Sequence, residues 1–252
     1  MKANNQSGFV LHSYHYRESS LIIELMTRQH GRVSLVAKGA RRWKKRGTNT
    51  YLRSFQEFSF SWVGKGEMGT LTGAEEIPPM AGLAREALYC GFYVNELLLK
   101  LLHRHDPHEQ LYDYYKNCLE QLSVPGEMEI ALRLFEKRLL LETGYGLVLD
   151  TDISTGKPVS KDSDYHYLPN QGPASDNRGQ PERGRCAVSG KSLIAFRDEM
   201  IDDRQVLREL KVLMRYLIDH QLNYKPLTSR NMFSGAIKQP GRMEATNLEQ
   251  DR

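Results

Sequence analysis

The chain has 252 residues, 40% of them hydrophobic, a formal net charge of +4 and three cysteines, which is enough for one large domain or two ordinary ones. Cys90, Cys118 and Cys186 form neither an even set nor a short-range pair, which argues against a disulfide framework and for a reducing, cytoplasmic setting. The opening MKANNQSG is too polar for a secretory signal, and ELLLKLL, interrupted by Lys100, is too short to cross a bilayer, so a soluble protein with no membrane partner is expected.

The charge is unevenly divided. Residues 1–80 hold twelve Lys and Arg against six Glu and no Asp, whereas the remainder holds 23 against 25. Short segments of β-character come first: FVLHSYHY from Phe9, LIIELM from Leu21, RVSLVAKG from Arg32, FQEFSFSW from Phe55 and EMGTLTGAEE from Glu67. Phe58, Phe60 and Trp62 fall two apart, so they share the buried face of one strand while Glu57, Ser59 and Ser61 share the other. Five such strands without an intervening helical pattern predict a small barrel of the OB type over residues 1–79.

Within that barrel lies the most one-sided stretch of the chain. From Arg28 to Arg53 nine Lys and Arg occur without one Asp or Glu. Arg41, Arg42, Lys44, Lys45 and Arg46 crowd around Trp43 between two strands, so the cations can neutralise phosphates while the indole offers a face to a base. Arg28, Arg32, Lys38 and Arg53 are flanking candidates. The bland alternative is a solvated surface loop, but the absence of acids keeps the local field from cancelling.

After Pro78-Pro79 the period becomes helical. Helices are expected over Gly82 to about His105, Glu109 to Leu122, about Glu127 to Glu142 with Gly144 as its cap, and about Asp203 to His220, sharing one core in a domain spanning 80–240. Residues of about 150–191, dense in Gly, Pro, Ser, Asp and Asn, read as a polar insertion with little core and one short strand, largely mobile. The tail 241–252 reads as disordered. The fold class is therefore α+β, an OB-fold barrel followed by an α-helical domain with an insertion.

Catalytic apparatus is not apparent. The pairs Asp150/Asp152 and Glu75/Glu76 stand alone, and Gly64, Gly66 and Gly69 link two strands without opening a helix, so they read as a hairpin turn. His103 and His105 are expected to meet the terminal carbonyls of the first helix. No catalytic residue, metal or cofactor is expected.

Four separated blocks, GRVSLVAKGARR, GFYVNELLLKLL, LRLFEKRLLLETGYG and KPLTSR, resemble in order the RecO family of bacterial recombination mediators. The resemblance covers nearly the whole chain. It implies an OB fold with a helical domain, binding to single- and double-stranded DNA, annealing of complementary strands, and, with RecR, loading of RecA onto strands coated by single-stranded DNA-binding protein. Many members carry two Cys pairs holding zinc after the GYG motif; here the segment reads LVLDTDISTGKPV, and a metal-free insertion is expected. The resemblance also implies that the helical domain receives the acidic, apolar-ended tail of single-stranded DNA-binding protein. Arg133, Phe135 and Lys137 of the third helix are the candidates for that contact. An OB-fold RNA-binding module and a non-catalytic architectural adaptor remain as alternatives.

Overall fold

The computed structural model describes residues 2–40, 52–64, 66–78, 82–175 and 186–230. Strands β1 (Lys2–Tyr16), β2 (Ser20–Thr27), β3 (Gly31–Ala37), β4 (Glu57–Val63) and β5 (Met68–Glu76) close a barrel in the order β1-β2-β3-β5-β4. Neighbours run antiparallel except β3 and β5, which are parallel. This is the five-stranded closure of an OB fold. β1 starts at Lys2 rather than at Phe9, because closure needs a strand long enough to pair with β2 at one end and β4 at the other.

The aromatic row behaves as its spacing predicts. Phe58, Phe60 and Trp62 fill the barrel with Val10, Ile23, Leu25, Val33 and Leu35. The outer flank departs from the expectation of a solvated face. Phe9, Leu11 and Met26 point out of the barrel and join the core of the helices, where the Phe9 ring lies 5.4 Å from Tyr112 and 5.0 Å from Tyr115. Each such apolar side chain contributes on the order of 1.5–3 kcal/mol by leaving water. Glu57, expected on the solvent face of β4, is buried as well. Its carboxylate accepts from Tyr112 Oη at 2.7 Å and Lys116 Nζ at 2.8 Å.

The helices carrying those partners are α1 (Glu86–Leu101), α2 (Glu109–Leu122) and α3 (Met128–Glu142). Gly144 ends α3 with φ 86°, and Tyr145 N then donates to Leu140 O at 2.7 Å, the αL closure that glycine favours. A second glycine has a steric reason. Gly31, at φ 62° in the β2–β3 turn, lies against the α1–α2 connection, where a Cβ would stand 2.0 Å from Asp106 O. The barrel and the helices therefore meet at backbone distance.

The insertion is more ordered than its composition predicts. Residues 164–168 (β6), 172–174 (β7) and 186–189 (β8) form a sheet in the order β7-β6-β8, followed by a helix that the sequence analysis missed, α4 (Gly190–Asp198). Tyr165 pairs with Val188 and Tyr167 with Cys186, so one face is continuous and apolar. That face, with Leu193 and Phe196 of α4, packs on α5 (Arg204–Gln221). The helical region consequently has two cores rather than one, α1 and α2 packing toward the barrel and α5 packing chiefly toward the small sheet. Residues 176–185 and the tail 241–252 lie outside the described residues.

Asp152 holds the entry to the insertion together. Burial alone would raise its carboxyl, but donation from Ser154 Oγ (2.6 Å), Ser175 Oγ (2.5 Å), Ser154 N (2.9 Å) and Thr155 Oγ1 (2.9 Å) holds it well below the usual carboxylate range. A group depressed in this way stabilises the fold fully above its unfolded pKa, near 4, and progressively less as pH falls toward its folded value. Asp152→Ala should therefore destabilise the chain by at least about 2 kcal/mol at pH 7, with the deficit shrinking below pH 4. Urea melts at pH 7 and pH 3 check it; an equal deficit at both would show that the ionised carboxylate is not the source.

Candidate nucleic-acid interface

Nine cations between Arg28 and Arg53 define the candidate surface, and the structure treats them unequally. Arg41, Arg42, Trp43, Lys44, Lys45 and Arg46 lie outside the described residues. Arg28, in the β2–β3 turn, donates to both carboxylate oxygens of Asp113 on α2, at 2.7 and 2.8 Å, and its guanidinium pKa is raised by that hydrogen bond. Arg53 is exposed but donates to Glu76 at 2.5 Å. Lys38 is exposed at the end of β3, where the chain enters the basic run.

Arg32 serves the fold. Its guanidinium donates to Leu102 O at 3.1 Å and to Leu99 O, the terminal carbonyls of α1, and faces Glu24 at 3.5 Å. Burial lowers its pKa. Those carbonyls were expected to meet His103 and His105; instead Arg32 takes them, and His105 N donates to Arg32 O at 2.9 Å. Glu24 also accepts from Ser34 Oγ at 2.5 Å and Arg104 at 3.0 Å. Among the flanking cations, Arg28 and Arg53 thus face carboxylates remote in sequence, and Arg32 faces one on the adjacent strand. Lys38 takes part in none of the ion pairs formed among the described residues.

A second candidate surface lies on the helical side. A cleft of about 100 Å³ opens between α2 and α3, lined by Tyr114, Asn117, Leu134, Phe135, Arg138 and Glu199 among others. Phe135 is at this cleft, but its two expected companions point elsewhere. Arg133 is buried and donates to Glu136 at 2.8 Å, and Glu136 also accepts from Tyr93 Oη at 2.7 Å. Lys137 Nζ donates to Phe196 O at 2.7 Å and to Glu199 at 2.9 Å, which pins α3 to the end of α4. The cation beside the cleft is Arg138, missed in the sequence, whose guanidinium lies 4.9 Å from the centre of the Tyr114 ring and donates to Glu199.

Two family descriptions cover these two bodies: "Recombination protein O N terminal" matches residues 1–80 and "Recombination protein O C terminal" matches residues 83–231. The chain belongs to the RecO family. The DNA repair protein RecO of Nitrosospira multiformis is 42% identical over 228 residues, covering 90% of this chain and 93% of that protein. That of Coxiella burnetii is 41% identical over 227 residues, covering 90% and 96%, and that of Thiobacillus denitrificans 40% identical over 240 residues, covering 92% and 91%. RecO membership places the chain in DNA repair and recombination. Among the described residues no helix is long and apolar enough to cross a membrane. Nor do the described residues include a group of three or more His, Cys, Asp or Glu arranged to hold a metal ion.

In this RecO-family chain Arg32 is tied into the fold whereas Lys38 is exposed, and mutation distinguishes the two. Arg32→Ala leaves two terminal carbonyls without their donor and takes one of two cations from the buried Glu24 carboxylate, so it should cost roughly 2–3 kcal/mol of stability while leaving the salt dependence of DNA binding unchanged. Lys38→Ala should do the reverse, leaving stability within about 0.5 kcal/mol and reducing the log-log salt slope by about 0.7. Chemical melts and anisotropy titrations across a salt series measure both.

Proposed function

We propose that this RecO-family chain is a non-catalytic recombination mediator that anneals complementary DNA strands and, with RecR, promotes RecA loading onto strands coated by single-stranded DNA-binding protein. One observation carries the DNA contact. The basic run interrupts a closed barrel, and its flanking arginines are already paired with acids, so the net positive field falls on Lys38, Arg41, Arg42, Lys44, Lys45 and Arg46. Trp43, in the middle of that field, is the stacking candidate. Binding two strands on one cationic surface lowers their mutual repulsion, which is the main obstacle to pairing; no bond need be broken.

The α2–α3 cleft supports the second half of the reading. An acidic tail with an apolar end requires a cation beside a small greasy recess. Arg138 and Phe135 supply them, while Arg133 and Lys137 hold α3 in place behind the cleft. Capture of the tail would bring the annealer to the coated strand.

Annealing of complementary strands precoated with single-stranded DNA-binding protein tests the proposal by fluorescence. Six neutralised phosphates predict a single-strand salt slope of about −4 for the parent. Changing Arg41, Arg42, Lys44 and Lys45 to Ala should flatten it to about −1.5 and abolish annealing. Arg138→Ala should weaken a tail peptide in calorimetry about tenfold and slow annealing of coated but not naked strands. An unchanged slope in the four-residue variant would remove the basic run from the interface, and tighter binding to RNA than to DNA would favour an RNA-binding module.

A further inference from the structure

A recess larger than the α2–α3 cleft lies at neither surface above. A groove of about 530 Å³ runs between β1 and α1, with Leu11 and Leu99 among its walls, Tyr14 and Phe92 as aromatic surfaces, and His12 and Lys100 alongside. Tyr14 is 49% and Phe92 39% exposed, unusual for rings that flank a domain junction. The His12 ring meets Tyr14 edge-on at 4.4 Å, and Phe55 meets Phe92 in the same way at 5.1 Å. Glu96, the one acid in the groove, accepts from Thr228 N at 2.9 Å, Ser229 N at 2.9 Å and Ser229 Oγ at 2.6 Å, and faces Lys100 at 3.7 Å. Its charge is therefore balanced within the protein.

Position links this groove to the basic run. The chain returning from residues 41–51 is fixed where Ser54 bridges Val10 of β1, directly before Leu11 and His12. The next residue, Phe55, has φ 67°, a left-handed conformation that a bulky side chain adopts only under constraint. Its ring fills the space above Gly91 of α1, where a Cβ would stand 2.8 Å from it. The basic run thus rejoins the barrel at one end of an aromatic groove.

We propose that this groove is a track for the unpaired bases of a DNA strand, with Phe92 and Tyr14 as stacking faces. The proposal rests on the DNA-binding reading above and adds to it a reason for preferring single strands. Phosphates are equally available in a duplex, whereas base faces are free only when the strand is unpaired. An apolar floor with aromatic walls suits a base, and Lys100, already facing Glu96, is not needed to hold it. Segments of protein are the competing occupants, and they require side-chain volume rather than an aromatic face.

Leucine substitution separates the two. In the full chain, Tyr14→Leu together with Phe92→Leu keeps the groove apolar and removes both faces. Single-strand Kd should rise about 10- to 100-fold, while duplex affinity and the single-strand salt slope stay at the parent values. If this pair binds single strands as the parent does while the four-residue variant of the basic run has lost its slope, the groove is not the base site and the DNA reading stands. If neither variant is impaired, the DNA reading itself fails. Equal losses for single strand and duplex overturn the groove proposal too. Photo-crosslinking of the unaltered chain to a strand carrying 5-iodouracil gives a readout independent of folding: adducts on Tyr14 or Phe92 support it, and adducts confined to residues 41–46 overturn it.

Discussion

Burial of the outer flank of the barrel against α1 and α2 is the constraint on which the remaining arrangement depends. β1 and β2 are covered on both faces there: Val10, Ile23 and Leu25 look inward, whereas Phe9, Leu11 and Met26 enter the helical core. Polar groups at the same junction are satisfied across it. Asn95 Nδ2 donates to Leu11 O at 2.9 Å, and Tyr115 Oη donates back to Asn95 Oδ1 at 2.7 Å. Tyr112 and Lys116 satisfy Glu57, and Arg104 and Ser34 meet Glu24. A buried carboxylate that loses such partners is costly, so the junction resists sliding.

This junction also sorts the charges. A barrel whose sequence carries a clear excess of cations loses much of that excess on one side, because α2 presents Glu109 and Asp113 to Arg28 and the end of α1 presents carbonyls to Arg32. Among the described cations of that stretch, Lys38 takes part in no such pairing.

Most of the architecture was legible because it is written in local periodicity. The alternation at Phe58, Phe60 and Trp62, the helical stripes of α2 and α5, and the glycine closing α3 each depend on neighbours within one turn or one strand. Of the insertion only one short strand, at Tyr165 and Tyr167, was legible; the rest escaped because its apolar positions come in fragments, such as Cys186 and Val188, diluted by polar loops. The outward burial of Glu57 and the pairing of Arg28 were illegible for a different reason. Their partners lie 59 and 85 residues away, and no local pattern announces a salt link of that span. The blocks that resemble the RecO family conveyed the family but not the orientation of the α3 cations, since Arg133 turns to Glu136, which also meets Tyr93 of α1, while Lys137 and Arg138 meet the end of α4.

The two-sided burial of β1 has a bearing on how the protein is made. Synthesis proceeds from the N-terminus at about 5–20 residues per second, so roughly 2–9 s separate completion of β5 at Glu76 from completion of α2 at Leu122. During that interval the barrel has its own filling but not its cover. Phe9, Leu11 and Met26, with the Glu24 and Glu57 carboxylates among them, face solvent as an unfinished seam. Such a seam is a site for chaperone contact or for mispairing between nascent chains, and the barrel expressed alone should be prone to aggregation for the same reason.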